Sequence, residues 1–194
     1  MDVDRSQLEK FHPLMMHNIL SATRRFEPDF YAHLCRAYHL DADRILGLFT
    51  EIEAIGPGQL SMVLKDLRQH QAYHDIMYLS GRNSLHMWLE HKNLQLDPKA
   101  SGRNRYASLL KELLVDFLGS ATAVQMVRGS LLYLELNNSV FARNVHHDKP
   151  VCGFYSGFAA ELGANLVPGA CTATEVRCCA VEPDAPTCLF QISL

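Results

Sequence analysis

The chain has 194 residues, of which 48% are hydrophobic and 20% are charged, and this composition is that of one globular domain with a sizeable core. Its formal net charge is −3, so no basic surface attracts a phosphate backbone, and nucleic acid is excluded as the expected partner. No apolar stretch is long enough to span a membrane and no signal peptide is visible, so we expect a cytoplasmic protein.

The first two thirds of the chain have the pattern of helices. Apolar residues at helical spacing predict helices in residues 6–26, 27–40, 42–54, 58–94 and 106–119. We expect Gly81 to interrupt the fourth of these helices, and the polar, turn-rich residues 96–105 to form a loop. Residues 1–121 are therefore predicted to be the mainly helical part of the chain.

The pattern changes after about residue 122. The stretch "VQMVRGSLLYLELNNSVFAR" predicts two strands separated by a turn, and "PVCGFYSGFAAELGANLV" predicts a helix. The stretches "CTATEVRCCAV" and "CLFQISL" predict a closing β-hairpin. We expect residues 1–194 to form a single α+β domain, in which an N-terminal helical layer packs on a small antiparallel sheet formed by residues 122–194.

Cysteines are concentrated near the C-terminal end of the chain. Five of the six cysteines lie within the last 43 residues. In a reducing compartment such a cluster favours metal binding or redox chemistry over structural disulfides.

Four of the polar side chains in this part could bind one metal ion: Cys152, Glu175, Cys178 and Cys188. Three thiolates and one carboxylate suit a closed, tetrahedral zinc site that would pin the helix to the hairpin. Glu175 and Cys178 are three residues apart, so they share a face only if the strand has a bulge or ends before Cys178. Two alternatives stay open: the cysteines are small buried hydrophobic residues, or Cys179 replaces Cys178, although we expect Cys179 to face away.

The C-terminal third resembles a known family. The stretches "NNSVFAR", "KPVC", "GFYSGFAAELG", "EVRC" and "CLFQI" are similar to the vinyl-4-reductase domain family, from Asn137 to the end of the chain. The resemblance implies a fold shared with subunits of the TRAPP vesicle-tethering complex and with haem-type nitric-oxide-binding domains. The family includes the sensory domains of phenol- and xylene-responsive activators, which carry a zinc site beside an effector pocket.

The resemblance implies that Cys152, Glu175, Cys178 and Cys188 are the zinc ligands. It also implies an internal pocket for a small hydrophobic or aromatic molecule, with a tetrapyrrole as one candidate. We expect this pocket to be lined by Trp88, Phe117, Tyr133, Phe154 and Phe158. A homodimer that signals to a separate output protein is the implied assembly.

Two other functions are compatible with the same resemblance. One is reduction of a vinyl group on a bacteriochlorophyll precursor, or an accessory role in that reaction, although the sequence has no nicotinamide or flavin motif to deliver a hydride. The other is an assembly subunit like those of the tethering complex. A zinc ion with four protein ligands has no open position for water, so hydrolysis is not expected at this site.

Overall fold

The structure is a computed structural model, which describes residues 5–40, 57–96, 102–118, 124–128, 131–137, 139–142, 145–167 and 171–194. In these residues the chain forms, in order, α1 (Arg5–Phe26), α2 (Pro28–Ala37), α3 (Pro57–Leu67), α4 (Tyr73–His91), α5 (Arg103–Leu118), β1 (Val124–Arg128), β2 (Leu132–Leu136), α6 (Gly153–Leu166), β3 (Thr172–Arg177) and β4 (Cys188–Ser193). The helix expected in residues 42–54 lies outside the described residues. None of the helices just named is long and apolar enough to cross a membrane.

The strands form one antiparallel sheet in the order β1-β2-β4-β3. Side chains alternate between buried and partly exposed along β2 and along β4, as expected for a sheet with one covered face. The register places Leu134 opposite Phe190 and Leu136 opposite Cys188, so buried residues of the two central strands face each other. The predicted α+β class, with its antiparallel sheet and closing hairpin, is confirmed.

Helix α6 lies between the other helices and the sheet. Every residue from Val151 to Ala160 is buried, and a helix that is apolar on all sides must be enclosed by other elements. Helix α4 packs along one side of α6, while β3 and β4 pack against another side. The main contacts between the helices and the sheet therefore come from α6 and from α5, which contacts β1.

Two glycines allow α4 and α6 to approach closely. A Cβ atom at Gly81 would collide with the backbone carbonyl of Phe154, and one at Gly157 would collide with the backbone carbonyl of Tyr78. Helix α4 continues through Gly81 without a break, so the predicted interruption there is wrong. The glycine is present because α6 leaves no room for a side chain, and the helical pattern breaks instead in the turn 68–72.

Buried hydrogen bonds hold α6 in register with its neighbours. The Tyr73 hydroxyl of α4 donates to the carbonyl oxygen of Val151 at 2.7 Å, just before α6 begins. The Tyr106 hydroxyl of α5 donates to the carbonyl oxygen of Ala159 at 2.8 Å. Since an unpaired buried hydroxyl costs about 1–3 kcal/mol, a shift of α6 that breaks either bond is unfavourable.

We expect Gly157→Ala and Gly81→Ala each to lower the free energy of unfolding by about 1–3 kcal/mol, because the added methyl group forces the two backbones apart. Urea denaturation followed by circular dichroism measures this change. Glu112→Ala, at an exposed position of α5, is the control and is expected to stay within about 0.5 kcal/mol of the wild type. Stabilisation by Gly157→Ala, as helix propensity alone would produce, would contradict the close contact.

Candidate metal centre

The loop before α6 places Cys152 at the start of that helix. Cys152 is the N-cap residue of α6 and is fully buried. The residue before it, Val151, is also buried and is held by the hydrogen bond from Tyr73. Cys152 therefore lies between a buried helix and a backbone carbonyl that α4 fixes.

A bulge in β3 brings Glu175 and Cys178 toward the same point. Glu175 is opposite Phe190, but Arg177 is opposite Leu189, so β3 has one extra residue between the two pairs. The strand then ends at Arg177, one residue before Cys178. The three-residue spacing required either a bulge or a strand end, and both are present.

The fourth side chain comes from the returning strand of the hairpin. Cys188 is the first residue of β4 and is opposite Leu136 of β2, with its side chain on the buried face of the sheet. This position follows from strand alternation, since Phe190 and Ile192 are buried on the same face.

The four donor atoms of Cys152, Glu175, Cys178 and Cys188 lie within 4.8 Å of one another. The Sγ atoms of Cys152 and Cys188 are 3.7 Å apart. Two thiolates on a tetrahedral zinc ion, each at about 2.3 Å from the metal, are about 3.8 Å apart. The cluster could therefore hold a metal ion without a rearrangement of the backbone.

The carboxyl group of Glu175 has one paired and one unpaired oxygen. Oε2 accepts a hydrogen bond from the backbone N–H of Cys152 at 2.9 Å. Oε1 is buried, and within the described part of the chain it has no hydrogen-bond partner. A buried carboxylate oxygen without a partner is costly, and a cation bound between the four side chains would satisfy it.

Burial and the close approach of these groups also shift their pKa values. Burial raises the pKa of the Cys152 thiol well above its usual value, and burial together with the neighbouring Cys178 raises the pKa of Glu175 to about 9. The pKa of Cys178 is lowered because Cys152 and Cys188 donate hydrogen bonds to its thiolate. A divalent cation bound between these groups would favour the ionised forms of several of them.

Ser139 supports the cluster and was not identified from the sequence. Its Oγ atom lies 3.1 Å from Cys152 Sγ and accepts a hydrogen bond from the backbone N–H of Phe141 at 3.3 Å. The Ser139 hydroxyl and the Cys152 thiol therefore form a hydrogen-bonded pair, in which either group can donate. Ser139 lies within "NNSVFAR", which carried part of the family resemblance, but a serine in a turn has no signal that assigns it to a distant cysteine.

Cys179 lies outside the group of four donors but does not face away from it. Its Sγ atom is 3.6 Å from Cys188 Sγ, and its backbone N–H donates to the same sulfur at 3.5 Å. The expectation that Cys179 points elsewhere is therefore wrong. Cys179 lies in the turn that follows β3, and all six cysteines are free thiols in the structure.

Four of the five aromatic residues expected to line a pocket do lie together. The Phe117 ring is 5.4 Å from Trp88, 5.9 Å from Phe154 and 5.5 Å from Phe158, measured between ring centroids. We call these four residues the aromatic cluster. Its three phenylalanines are fully buried, whereas Trp88 is half-buried at the outer end of the cluster.

Tyr133 does not belong to the aromatic cluster. It lies between the buried residues Leu132 and Leu134 on β2, so its side chain is on the opposite face of the sheet. There it is half-buried beside Gln191, its partner on β4.

A series of ring contacts connects the aromatic cluster to the metal centre. Phe154 lies 5.8 Å from Tyr155, and Tyr155 lies 5.8 Å from Phe190 on β4. Phe190 is two residues from Cys188, on the same face of the strand. Both groups of side chains are therefore part of one continuous core.

Neither a protein-family model nor a curated protein matches this chain. Its structure is similar to that of an H-NOX protein from S. oneidensis, solved in the Fe(II)NO ligation state, with a TM-score of 0.58 over 94% of this chain and 98% of that one. At 12% identity this likeness shows a shared fold. It confirms the expected fold relationship to haem-type nitric-oxide-binding domains, while membership of the vinyl-4-reductase family stays a prediction.

We expect Ser139→Ala to weaken binding of Zn²⁺ or Co²⁺ by about 10- to 100-fold, because Cys152 loses the hydrogen bond that orients its sulfur. Competition with a chromophoric chelator measures the affinity, and the sulfur-to-cobalt absorption band reports the environment of the thiolate. The matched control is Ser156→Ala, a buried serine of α6 whose hydroxyl has no partner among the described residues. Equal affinities for Ser139→Ala and the control would remove Ser139 from the site.

Proposed function

We propose that this chain is a zinc-stabilised small-molecule-binding domain of the sensor type, which holds a hydrophobic ligand at the aromatic cluster and signals to a partner protein. The observation that carries the proposal is that residues of one helix belong both to the candidate metal centre and to the aromatic cluster. Cys152 begins α6, and Phe154 and Phe158 follow within its first two turns. A displacement at the rings is therefore transmitted along a rigid element to the metal centre.

Zinc is the ion that suits this set of donors. Three sulfurs and one carboxylate form a soft, borderline site, and their compact arrangement favours tetrahedral coordination. Four protein ligands fill the coordination sphere, so the role of the ion is structural. It offsets the charge of the buried donors and joins α6 to both strands of the hairpin.

The ligand is expected to be apolar because the aromatic cluster is. Phe117, Phe154 and Phe158 are fully buried, and Trp88 gives the cluster a half-exposed end with the ammonium group of Lys92 4.8 Å from its ring centroid. The structurally similar H-NOX protein carries NO on its Fe(II), which favours a ligand-binding role for the shared fold. Entry between α4 and α5 would bring a ligand past Trp88 to the buried rings.

Signalling would follow from the position of α6. A ligand that separates Phe117 from Phe154 must move α6 or α5, and α6 is held at its start by the donors of the hairpin. The domain would therefore have two arrangements of α6 on the sheet, and the ligand would favour one of them. The output acts through another protein, and we propose that the domain pairs as a homodimer.

Metal analysis of the purified protein is expected to give about one zinc per chain. Cys152→Ser should lose this zinc, whereas Cys35→Ser, which changes a half-buried thiol on α2, should keep it. If free zinc is about a thousandfold above its Kd, binding adds about 4 kcal/mol to the free energy of unfolding. Removal of zinc by a chelator should then lower Tm by roughly 10 °C. Retention of zinc by Cys152→Ser would exclude Cys152 as a ligand.

An uncharged fluorescent dye, N-phenyl-1-naphthylamine, tests the ligand site. We expect Phe158→Trp to weaken dye binding by about tenfold, because a larger ring fills the space that the dye occupies. Tyr133→Trp makes a comparable change on the other face of the sheet and should leave binding unchanged. Circular dichroism and zinc content verify that both variants are folded. Equal dye affinities for the two variants would place the ligand elsewhere.

A further inference from the structure

A fifth thiol lies directly against the candidate metal centre. Cys179 Sγ is 3.6 Å from Cys188 Sγ, and the backbone N–H of Cys179 also donates to that sulfur. Cys152, Cys178 and Cys188 are buried, whereas Cys179 is half-buried in the turn that follows β3. Of the thiols in the centre and beside it, Cys179 is the one that solvent reaches.

The four donors already complete a tetrahedral site, so Cys179 is not needed to hold the ion. We propose that Cys179 and Cys188 form an oxidation site, at which a peroxide converts the two thiols into a disulfide and thereby releases the metal. This inference rests on the proposed zinc centre and adds a second input to the same helix.

The reaction balances with hydrogen peroxide as the oxidant. The sulfur of Cys179 attacks one peroxide oxygen, so that an S–O bond forms and the O–O bond breaks; the departing hydroxide takes up the thiol proton and leaves as water. The zinc-bound thiolate of Cys188 then attacks the sulfur of the resulting sulfenic acid, so that the S–S bond forms and the S–O bond breaks; the departing hydroxide takes a proton from solvent and leaves as a second water. The two sulfurs together lose two electrons, one peroxide gains them, and the zinc ion stays divalent throughout.

The geometry favours this pair over the other close pair. A disulfide requires the two sulfurs to approach to about 2.05 Å, and Cys179 lies in a turn, beyond the paired residues of β3, where its side chain is not fixed by a strand. Cys152 Sγ is 3.7 Å from Cys188 Sγ, but Cys152 is fully buried and oriented by Ser139. An oxidant therefore meets Cys179 first.

Disulfide formation would open the metal centre. A disulfide sulfur is a much weaker ligand than a thiolate, so three donors are left for the ion, namely Cys152, Glu175 and Cys178. Loss of the ion would free the start of α6 from β4. The proposed result is the same kind of movement that a ligand at the aromatic cluster would produce from the other end of the buried segment.

The test uses the full chain with its zinc, treated with hydrogen peroxide in the presence of a chromophoric chelator. We expect the wild type to release its zinc and peptide mapping by mass spectrometry to identify a Cys179–Cys188 disulfide. Cys179→Ser should release zinc at least about tenfold more slowly. Cys35→Ser, a variant of a half-buried thiol outside the site, should behave as the wild type. A dithiol reductant followed by Zn²⁺ should restore the centre.

Release from Cys179→Ser at the wild-type rate would overturn the proposal, as would a disulfide that joins Cys152 to Cys188. The zinc content before treatment separates this result from a failure of the proposed function. If the untreated protein holds no zinc, the zinc centre itself is wrong. The mapped disulfide of the metal-free protein then still decides whether Cys179 and Cys188 are oxidised together.

Discussion

Three thiols and a carboxyl group share a small buried volume, and their charge has to be balanced within that volume. The donors come from three places, the start of α6, the bulged end of β3 and the first residue of β4. Burial disfavours every ionised form, and Glu175 Oε1 has no partner among the described residues. A bound cation would remove both difficulties and would join three elements that are far apart in the chain.

The rest of the domain is built to hold α6 in the position that this junction requires. Glycines at the contact between α4 and α6 let the two backbones meet without side chains between them. The hydroxyl group of Tyr73 donates to the carbonyl oxygen of Val151, just before the N-cap of α6, and that of Tyr106 donates to the carbonyl oxygen of Ala159 within the helix. A helix packed this closely against its neighbours moves as a rigid unit, because the surrounding core leaves no space for one part of it to shift alone.

This arrangement makes α6 the element through which two different inputs can act. The aromatic cluster contacts the helix on the side of α5, while the candidate metal centre includes Cys152, the N-cap residue of the helix. The Tyr155 ring lies between the two, in contact with Phe154 and with Phe190 of the sheet. A ligand and an oxidant would thus change the same helix–sheet contact from two ends, by separating rings or by removing a donor.

Much of this architecture is encoded locally. The β-branched and apolar residues of "VQMVRGSLLYLELNNSVFAR" predicted the first two strands, and the helical spacing of Phe154, Phe158 and Leu162 predicted α6, before their partners were known. The chemical types of Cys152, Glu175, Cys178 and Cys188 made them candidates for one metal site, and the family resemblance implied them as its ligands. The three-residue spacing of Glu175 and Cys178 even required a bulge or a strand end, because a regular strand could not bring them together.

Other features depend on contacts between distant parts of the chain. Gly81 was interpreted as a helix interruption, and only the position of Phe154 shows that it is a site of close packing. Tyr133 alternates with buried leucines, but which face of β2 is covered depends on where α6 lies. Ser139 and Cys179 are ordinary residues of turns until the fold brings them to Cys152 and Cys188. Hydrophobic periodicity predicts the helices and strands, and residue chemistry indicates the candidate donors, so the sequence by itself determined both. The tertiary structure decided which side chains meet, because those meetings follow from non-local pairing of strands and helices.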